Sequence, residues 1–169
     1  MSNEAVTEKD AIADKIAELG FTLPAPIQLP LGVVAKFPFV RVIGNRALVS
    51  GHGPLHADGT LATELFGKVG LVLNLEQATE AAQLTSLAIL SSLKAELGSL
   101  DRITAFGRVL GMVNCTPDFT KQTPVIDAFS DLVNQVFPAE VAAHARAAVG
   151  MTSLPMGMSV EIEAEAYFE

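Results

Sequence analysis

The C-terminal stretch HARAAVGMTSLPMGMSVEIEAEAYFE, His144–Glu169, contains two β-strand patterns joined by a linker rich in turn-forming residues. Side chains alternate between the two faces of a strand, so the second pattern has one apolar and one polar face. Its apolar face carries Val160, Ile162, Ala164 and Ala166, and its polar face carries Ser159, Glu161, Glu163 and Glu165. The pattern predicts a half-buried strand at the end of the chain.

Arg146 is the feature of the first strand pattern that most needs a partner, because no other Lys, Arg, Asp or Glu follows until Glu161. A guanidinium binds a carboxylate through two parallel hydrogen bonds. Two partners remain open: a glutamate of the neighbouring strand, Glu161 or Glu163, or the carboxylate of a small ligand. The residues predicted to share the face of Arg146 are His144, Ala148 and Gly150.

Composition predicts one folded domain. The 169 residues are half hydrophobic and 18% charged, and a chain of this length buries roughly 70% of its unfolded surface. A net charge of −8, with no cluster of Lys and Arg, argues against a nucleic-acid partner. Cys115 is the only cysteine, which excludes an intrachain disulfide and a thiolate zinc cluster and fits the cytoplasm. A polar N-terminus and the lack of a long apolar run argue against a signal peptide and a membrane span.

The N-terminal part of the chain is predicted to be an appended helix followed by a tether. Thr7 and Asp10 resemble a capping box, and the apolar spacing predicts a helix from about Glu8 to Leu19. Three prolines in the following FTLPAPIQLPLG favour an extended segment. We therefore expect residues 1–30 to form a helix and proline-rich tether and residues 31–169 to form a single domain.

The remaining pattern predicts strands and helices in the order β-β-β-α-β-α-β-β. A β-rich run from Val33 precedes a Gly44-Asn45 turn and a second strand, a weak third strand is expected at Leu61–Phe66, and a strand at Ile103–Asn114. One helix is expected from Asn74 to Gly98, and another begins with Thr123 as N-cap and Pro124 as the first helical residue and stops at Pro138. Both helices are expected on one face of a mixed sheet, leaving an apolar face that predicts an oligomer.

Few residues are candidates for chemistry. Arg146 could hold a ligand carboxylate or pair across strands, and Glu161 could act as a general base or simply face solvent. Ser50 lacks a His and Asp context for nucleophilic catalysis, so a strand-end hydrogen bond is expected. His52, His56 and His144 show no metal-ligand spacing, and no metal site is predicted.

Several of these stretches resemble the RidA/YjgF family. The segment ARAAVGMTSLPMGMSVEIEAEA is similar to the family's C-terminal signature, LVSGHGP matches its Ser-Gly-x-x-Pro strand end, and FPFV resembles its Gly-Pro-Tyr motif. The resemblance extends from about Phe37 to Phe168. The residues of several motifs are similar to those of longer family members that are called endoribonuclease L-PSP-like. The resemblance implies a chorismate-mutase-like α+β fold, a homotrimer whose sheets form a central barrel, and clefts at the subunit interfaces.

The resemblance also implies an activity and a site. Characterised members hydrolyse reactive enamines and imines to 2-oxo acids and ammonia without a cofactor. By position, Arg146 would clamp the substrate carboxylate and Glu161 would position the attacking water. The residues that would line the same cleft are Phe39, Ser50 and Gly51; Thr123 or Asp127 in place of a family asparagine; and Ala148 where many members have cysteine.

Three functions follow as hypotheses. The first is a homotrimeric, cofactor-free deaminase of small 2-imino or enamine acids. The second is a non-catalytic trimer that binds small carboxylates as an effector module. The third is RNA cleavage, as the subgroup name implies, although the acidic charge and the absence of a basic patch argue against it.

Overall fold

A computed structural model describes residues 10–169 of the chain. Three single 3-10 turns, Thr63–Leu65, Leu100–Arg102 and Pro155–Gly157, lie between the longer elements. The helices and strands are, in chain order, α1 (Ala11–Glu18), β1 (Val40–Ile43), β2 (Arg46–His52), α2 (Leu75–Leu97), β3 (Ile103–Asn114), α3 (Gln122–Val136), α4 (Ala139–Ala142), β4 (Ala145–Met151) and β5 (Val160–Phe168).

The five strands form one mixed sheet in the order β1-β2-β5-β3-β4. All neighbours are antiparallel except β3 and β4, which are parallel and are connected through α3 and α4. The C-terminal strand β5 is central, and its predicted apolar residues Val160, Ile162, Ala164 and Ala166 are all buried. The α+β fold class, with a mixed sheet covered by helices, is confirmed.

Helix α2 begins and ends where its sequence predicts. Asn74 is the N-cap: its side chain accepts from the Gln77 N–H at 2.9 Å, and the Gln77 side chain accepts from the Asn74 N–H at 3.0 Å. Gly98 ends the helix with a φ of +87°, a conformation that favours glycine. The small residues predicted to pack on the sheet are fully buried: Ala78, Ala81, Ala82 and Thr85.

Three local predictions are wrong. The expected strand Leu61–Phe66 contains the 3-10 turn Thr63–Leu65, and its end residues form only isolated bridges, Leu61 to Leu55 and Phe66 to Met158. The first strand begins at Val40 rather than Val33, since Pro38 has no N–H for a strand ladder. Helix α3 begins at Gln122 after the N-cap Lys121, so Thr123 and Pro124 lie inside the first turn. The short helix α4 was not predicted.

Helix α1 is anchored to the main body by Asp10. The Asp10 carboxylate caps α1 through the Ala13 N–H at 2.9 Å, pairs with Lys94 at 2.8 Å and accepts from the Leu100 N–H at 3.0 Å. Ile16 of α1 is 1% exposed within the core. The helix is therefore present as predicted, somewhat shorter, while Thr7 and Glu8 lie outside the described residues.

The proline-rich tether is fastened to the domain by backbone hydrogen bonds. Ala25 N–H donates to Ala57 at 2.9 Å, and Gln28 N–H donates to Gly59 at 2.8 Å. The Ser91 hydroxyl of α2 donates to the Pro24 carbonyl at 2.6 Å. The tether therefore follows one path across the domain, and the proposed boundary at residue 30 stays a prediction.

The sheet face opposite the helices is mixed rather than apolar. Because Val160 and Ile162 face the helices, Glu161 and Glu163 must lie on the opposite face. Strand register places further residues of both kinds beside them: Leu48, Leu110, Met112, Val149, Arg46 and Arg108. The expectation of an apolar face is wrong for this reason, and an oligomer would need polar contacts as well. In the described residues no helix is long and apolar enough to cross a bilayer.

Candidate functional site

Glu161 lies beside an irregularity in strand β2. Val49 pairs with Ala164 and His52 with Ile162, so the two intervening residues of β2 break the regular register. One of them is Gly51, and a Cβ atom there would collide with the Glu161 Oε1 atom. The absence of a side chain at Gly51 therefore makes room for the Glu161 carboxyl group.

The Glu161 carboxyl group lines an apolar cleft of about 390 Å³. Burial raises the pKa of Glu161, and the negative charge of Glu163 raises it further. No hydrogen bond or ion pair to Glu161 occurs among residues 10–169 that would offset this burial. A carboxyl group with these properties can exchange a proton with a bound water or ligand.

Phe39 and His52 form one side of this cleft. Their rings contact edge to face, with centroids 5.3 Å apart. His52 is buried, with Nδ1 2.7 Å from the Ser50 carbonyl and Nε2 2.8 Å from the Ser92 hydroxyl. Burial lowers the pKa of His52, so its ring stays neutral and supports the cleft wall.

Ser50 does not face the Glu161 cleft. Its hydroxyl donates to the Pro38 carbonyl at 2.8 Å, which is the strand-end hydrogen bond expected from the sequence. The residue lines a neighbouring depression on the open face of the sheet with Arg108 and Glu163. Of the three residues that the resemblance places around Glu161, Phe39 and Gly51 line its cleft and Ser50 does not.

Arg146 lies on edge strand β4, against helix α3. Its Nη2 atom donates to Asp127 Oδ1 at 2.7 Å, and its Nη1 atom donates to the Ser130 hydroxyl at 2.7 Å. Its partner within the chain is thus a helix aspartate, so of the two alternatives left open, pairing with Glu161 or Glu163 is wrong, and binding of a ligand carboxylate stays a prediction. The Arg146 side chain is 17% exposed and that of Asp127 48% exposed, so a ligand can reach the pair.

His144 extends the Arg146 contacts by one more hydrogen bond. His144 Nδ1 lies 2.7 Å from the Ala142 carbonyl, which can only accept, so Nδ1 carries the proton. Nε2 then accepts from the Ser130 hydroxyl at 2.9 Å, while the Ser130 oxygen accepts from Arg146. Sequence reasoning placed His144 and Arg146 on one strand face but missed Ser130, although it lies one helical turn after Asp127.

These residues surround an open cavity of about 420 Å³, called here the arginine groove. The residues that define it are Asp127, Ser130, Asn134, Ala142, Ala143, His144 and Arg146. Thr123, one turn before Asp127, is exposed in the first turn of α3, and Ala148 follows Arg146 on the same face of β4. Thr123, Asp127 and Ala148 therefore lie on the same side of the sheet as Arg146. The expected site is thus divided into two separate halves, one at Arg146 and one at Glu161.

Arg146 and Glu161 lie on opposite faces of the sheet. Arg146 is paired with Val109 of β3, whereas Glu161 is paired with Met112, and residues three apart in a strand face opposite ways. A single chain therefore does not bring the proposed carboxylate clamp and the proposed water-positioning residue together.

Among residues 10–169 no group of three or more His, Cys, Asp and Glu side chains is arranged to hold a metal ion. Cys115 is buried, and its thiol lies 3.6 Å from the Gln122 side-chain nitrogen. The cofactor-free character of the site stays a prediction.

Comparisons with known proteins identify relatives over almost the whole chain. No family model matches the chain. It is 34% identical over 160 residues to Protein TCP17 of Trypanosoma cruzi, covering 95% of this chain and 96% of that protein. It is also 36% identical to the crystal structure of Atu1372 from Agrobacterium tumefaciens, a protein of unknown function. That match covers 94% of this chain and 92% of the other, with a TM-score of 0.81.

More distant solved structures share the fold. A putative endoribonuclease from Shewanella oneidensis is 22% identical, covers 94% of this chain and 100% of its own, and has a TM-score of 0.83. The RidA protein of an Antarctic Psychrobacter species is 19% identical, covers 87% and 96%, and has a TM-score of 0.52. At these identities the likeness shows the fold alone.

Proposed function

Because the chain belongs to the RidA/YjgF family, we propose that it hydrolyses small reactive 2-imino and enamine acids to 2-oxo acids and ammonia. The observation that carries the proposal is the Glu161 carboxyl group, which lies in an apolar cleft without a protein partner among residues 10–169. A structural glutamate at such a position would be expected to have a hydrogen-bond donor. A catalytic one needs to be free for water.

The chemistry requires few groups. Water adds its oxygen to the carbon of the protonated imine, and one of its protons passes through the Glu161 carboxylate to the amino group. The second proton leaves the new hydroxyl group as the carbonyl forms and is taken up by the departing ammonia. The C–N bond then breaks, so that R–C(=NH2⁺)–COO⁻ and H2O give R–CO–COO⁻ and NH4⁺. A protonated imine is already a strong electrophile, so orientation and proton transfer supply the catalysis.

The carboxylate of the substrate is assigned to Arg146. The contact with Asp127 at 2.7 Å demonstrates that a carboxylate fits against this guanidinium. Three of the five N–H groups of Arg146 donate to no residue among 10–169, and part of the groove is open, so a ligand can bind beside or in place of Asp127. The assignment keeps Arg146 and Glu161 in separate roles, binding and proton transfer.

The two halves of the site would meet between subunits of a homotrimer. Within one chain they occupy opposite faces of the sheet, and Arg146 lies on the edge strand β4, which has no neighbour on its outer side among residues 10–169. A second copy packed against this edge could present its Glu161 cleft to the arginine groove. The small size of both cavities suits a small carboxylate rather than a polymer.

Arg146→Ala and Glu161→Gln separate binding from chemistry. With freshly generated 2-iminopropanoate, Arg146→Ala should lose most of kcat/KM, whereas Glu161→Gln should lower kcat by roughly 10²-fold or more. Lys15→Ala, which removes an exposed cation of α1, is the control and should match the wild type. Size-exclusion chromatography with light scattering checks that each variant keeps the wild-type oligomeric state. Unchanged turnover by both site variants would refute the proposal.

A second candidate function is a non-catalytic carboxylate-binding trimer. The observation that favours it is the occupied guanidinium of Arg146, which suits reversible exchange of carboxylates as well as catalysis. Calorimetry would show binding of 2-oxobutanoate that is lost in Arg146→Ala, with no acceleration of imine hydrolysis by the wild type. RNA cleavage is not supported, since the net charge is −8 and the sequence has no basic cluster.

A further inference from the structure

The cleft beside Glu161 is built partly by the proline-rich tether, which precedes the part of the chain that resembles the family. Ile27 and Leu29 of the tether, and Ala35 shortly after it, are partly buried and line the cleft. More exposed residues form its rim: Val33, Val34 and Phe37. The tether thus forms one wall of the cleft as well as the link to helix α1.

The rest of the cleft lining is also largely apolar. It includes Leu61, Phe39, and Met156 and Met158 from the linker before β5. Methionine side chains are flexible and adapt to ligands of different shape. Apart from the neutral His52, the ionisable residues that line the cleft are Glu161 and the exposed Lys36. Most of the lining can therefore bind only an apolar group.

Hydrogen bonds hold residues 25–28 of the tether against residues 57–59. Hydrogen bonds fix Ala25 to Ala57 and Gln28 to Gly59, and the Gln28 side chain adds a further bond to Asp58 at 2.7 Å. Ile27 and Leu29 flank Gln28 directly. Their positions in the cleft are consequently set by backbone contacts, so the cleft exists before a ligand enters.

We propose that this cleft receives the side chain of the substrate, and that the preferred substrates are 2-imino acids with a large apolar side chain, branched aliphatic or aromatic. The proposal rests on the proposed function. Glu161 repels the substrate carboxylate from the cleft, so the carboxylate goes to Arg146 and the side chain is the part that enters. A volume of about 390 Å³ lies within the range of about 300–1,000 Å³ typical of small-molecule sites. The methyl group of 2-iminopropanoate would leave most of this cleft unfilled.

Imines formed in situ by an amino-acid oxidase from alanine, leucine and phenylalanine provide a direct test with the full-length protein. Ammonia release above the uncatalysed rate gives kcat/KM for each. We expect the leucine and phenylalanine imines to exceed the alanine imine by roughly tenfold or more, since each buried methylene discriminates by about that factor. Equal values, or a preference for the alanine imine, would overturn the proposal.

Two leucines of the same tether provide matched variants. Leu29 lines the cleft, whereas Leu31 is 106% exposed and does not line it. Leu29→Asn, a neutral change of similar size, should lower kcat/KM for the leucine imine by roughly tenfold and kcat/KM for the alanine imine by a much smaller factor. Leu31→Asn should change neither. Equal effects of both variants, or of Leu29→Asn on both imines, would contradict the assignment.

A second variant and a binding measurement test the role of the cleft independently of Leu29→Asn. Ala35→Phe fills part of the cleft, so it should lower kcat/KM for the phenylalanine imine much more than kcat/KM for the alanine imine, even if Leu29→Asn folds poorly. Calorimetry with the products distinguishes the two proposals. If no imine is hydrolysed, but 4-methyl-2-oxopentanoate binds more tightly than pyruvate and Leu29→Asn weakens it, the cleft assignment stands and the deaminase function falls. If the alanine imine is hydrolysed without a side-chain preference, the reverse holds.

Discussion

Asp127 Oδ1 lies 2.7 Å from Arg146 Nη2, at the guanidinium that we assign to the substrate carboxylate. The aspartate is 48% exposed and Arg146 17% exposed, so the pair is open to solvent on the side of Asp127. Any carboxylate that binds Arg146 must therefore bind next to a negative charge or displace it. Asp127 is positioned to set the affinity of the arginine groove for acids.

Asp127→Asn should strengthen carboxylate binding. Removing the charge leaves Arg146 uncompensated, so KM for an imino acid, or Kd for a 2-oxo acid, should fall roughly threefold to tenfold with little change in kcat. Steady-state kinetics and calorimetry measure the two constants. Asp131→Asn, an exposed aspartate on the same helix, is the matched control. A higher KM in Asp127→Asn would instead mean that Asp127 positions Arg146.

Ser130→Ala should weaken ligand binding in the arginine groove, because it removes a hydrogen bond from each of two side chains. Arg146 loses the acceptor at 2.7 Å and His144 loses the donor at 2.9 Å, with a cost of about 1–3 kcal/mol in unfolding free energy. KM should rise more than kcat falls, because Ser130 acts through Arg146. Denaturant unfolding and kinetics together test this. Ser130→Thr keeps the hydroxyl and should retain much of the wild-type KM, whereas a merely steric role would make it worse than alanine.

Glu161→Gln should stabilise the fold at high pH and not at low pH. Because burial and Glu163 raise the pKa of Glu161, the folded state binds more protons than the unfolded state in the window above the usual carboxyl pKa. Stability is therefore lost as the pH rises through the raised pKa, and removing the carboxylate relieves that loss. Unfolding midpoints of wild type and Glu161→Gln should coincide near pH 4 and separate towards pH 8. Glu140→Gln, at an exposed position of α4, is the control for these unfolding measurements, and its unfolding midpoint should show no pH-dependent difference from that of the wild type.

The raised pKa of Glu161 can also be tested through its neighbour Glu163. Glu163→Gln removes one cause of the raised pKa of Glu161, so the acid limb of the activity profile should move to lower pH. A limb that stays in place would mean that another group controls it.

Gly51→Ala should reduce activity more than stability. A Cβ at Gly51 collides with the end of the Glu161 side chain, which can move away at small cost but then leaves its catalytic position. We expect kcat to fall roughly tenfold or more while the thermal midpoint changes little. Gly53→Ala is the comparison, because its Cβ meets the flexible Met158 thioether. Equal effects of the two variants on kcat would argue against a role for Glu161.

Sequence reasoning succeeded where local patterns determine structure. The capping box at Asn74 and Gln77 fixed the start of α2, and alternation in Val160–Phe168 fixed which residues of β5 are buried. The bounds of β3, Ile103–Asn114, agree with the prediction in spite of two register shifts. These features depend on neighbouring residues, so they can be read without knowledge of the fold.

The partner of Arg146 could not be read in this way. Its strand pairs in parallel with β3, and the crossover places α3 rather than β5 beside it. Choosing between Asp127 and the glutamates requires the strand order, which the alternation pattern does not contain. The prediction for Thr123 failed for a different reason: a Thr-Pro pair fits a helix start, but Lys121 is the N-cap, so the helix begins two residues earlier than predicted.

Because β3 and β4 pair in parallel, the chain between them forms α3 and α4. The two halves of the site therefore differ in how far apart their residues lie in the sequence. The arginine groove is formed by α3, α4 and the start of β4, which are consecutive in the chain. The Glu161 cleft joins the tether, β2 and β5, so its closure must await contacts between distant parts of the sequence. Hydrogen exchange should therefore detect the groove as a cooperative unit that persists when the cleft has opened. Partial unfolding would then abolish hydrolysis before it abolishes carboxylate binding.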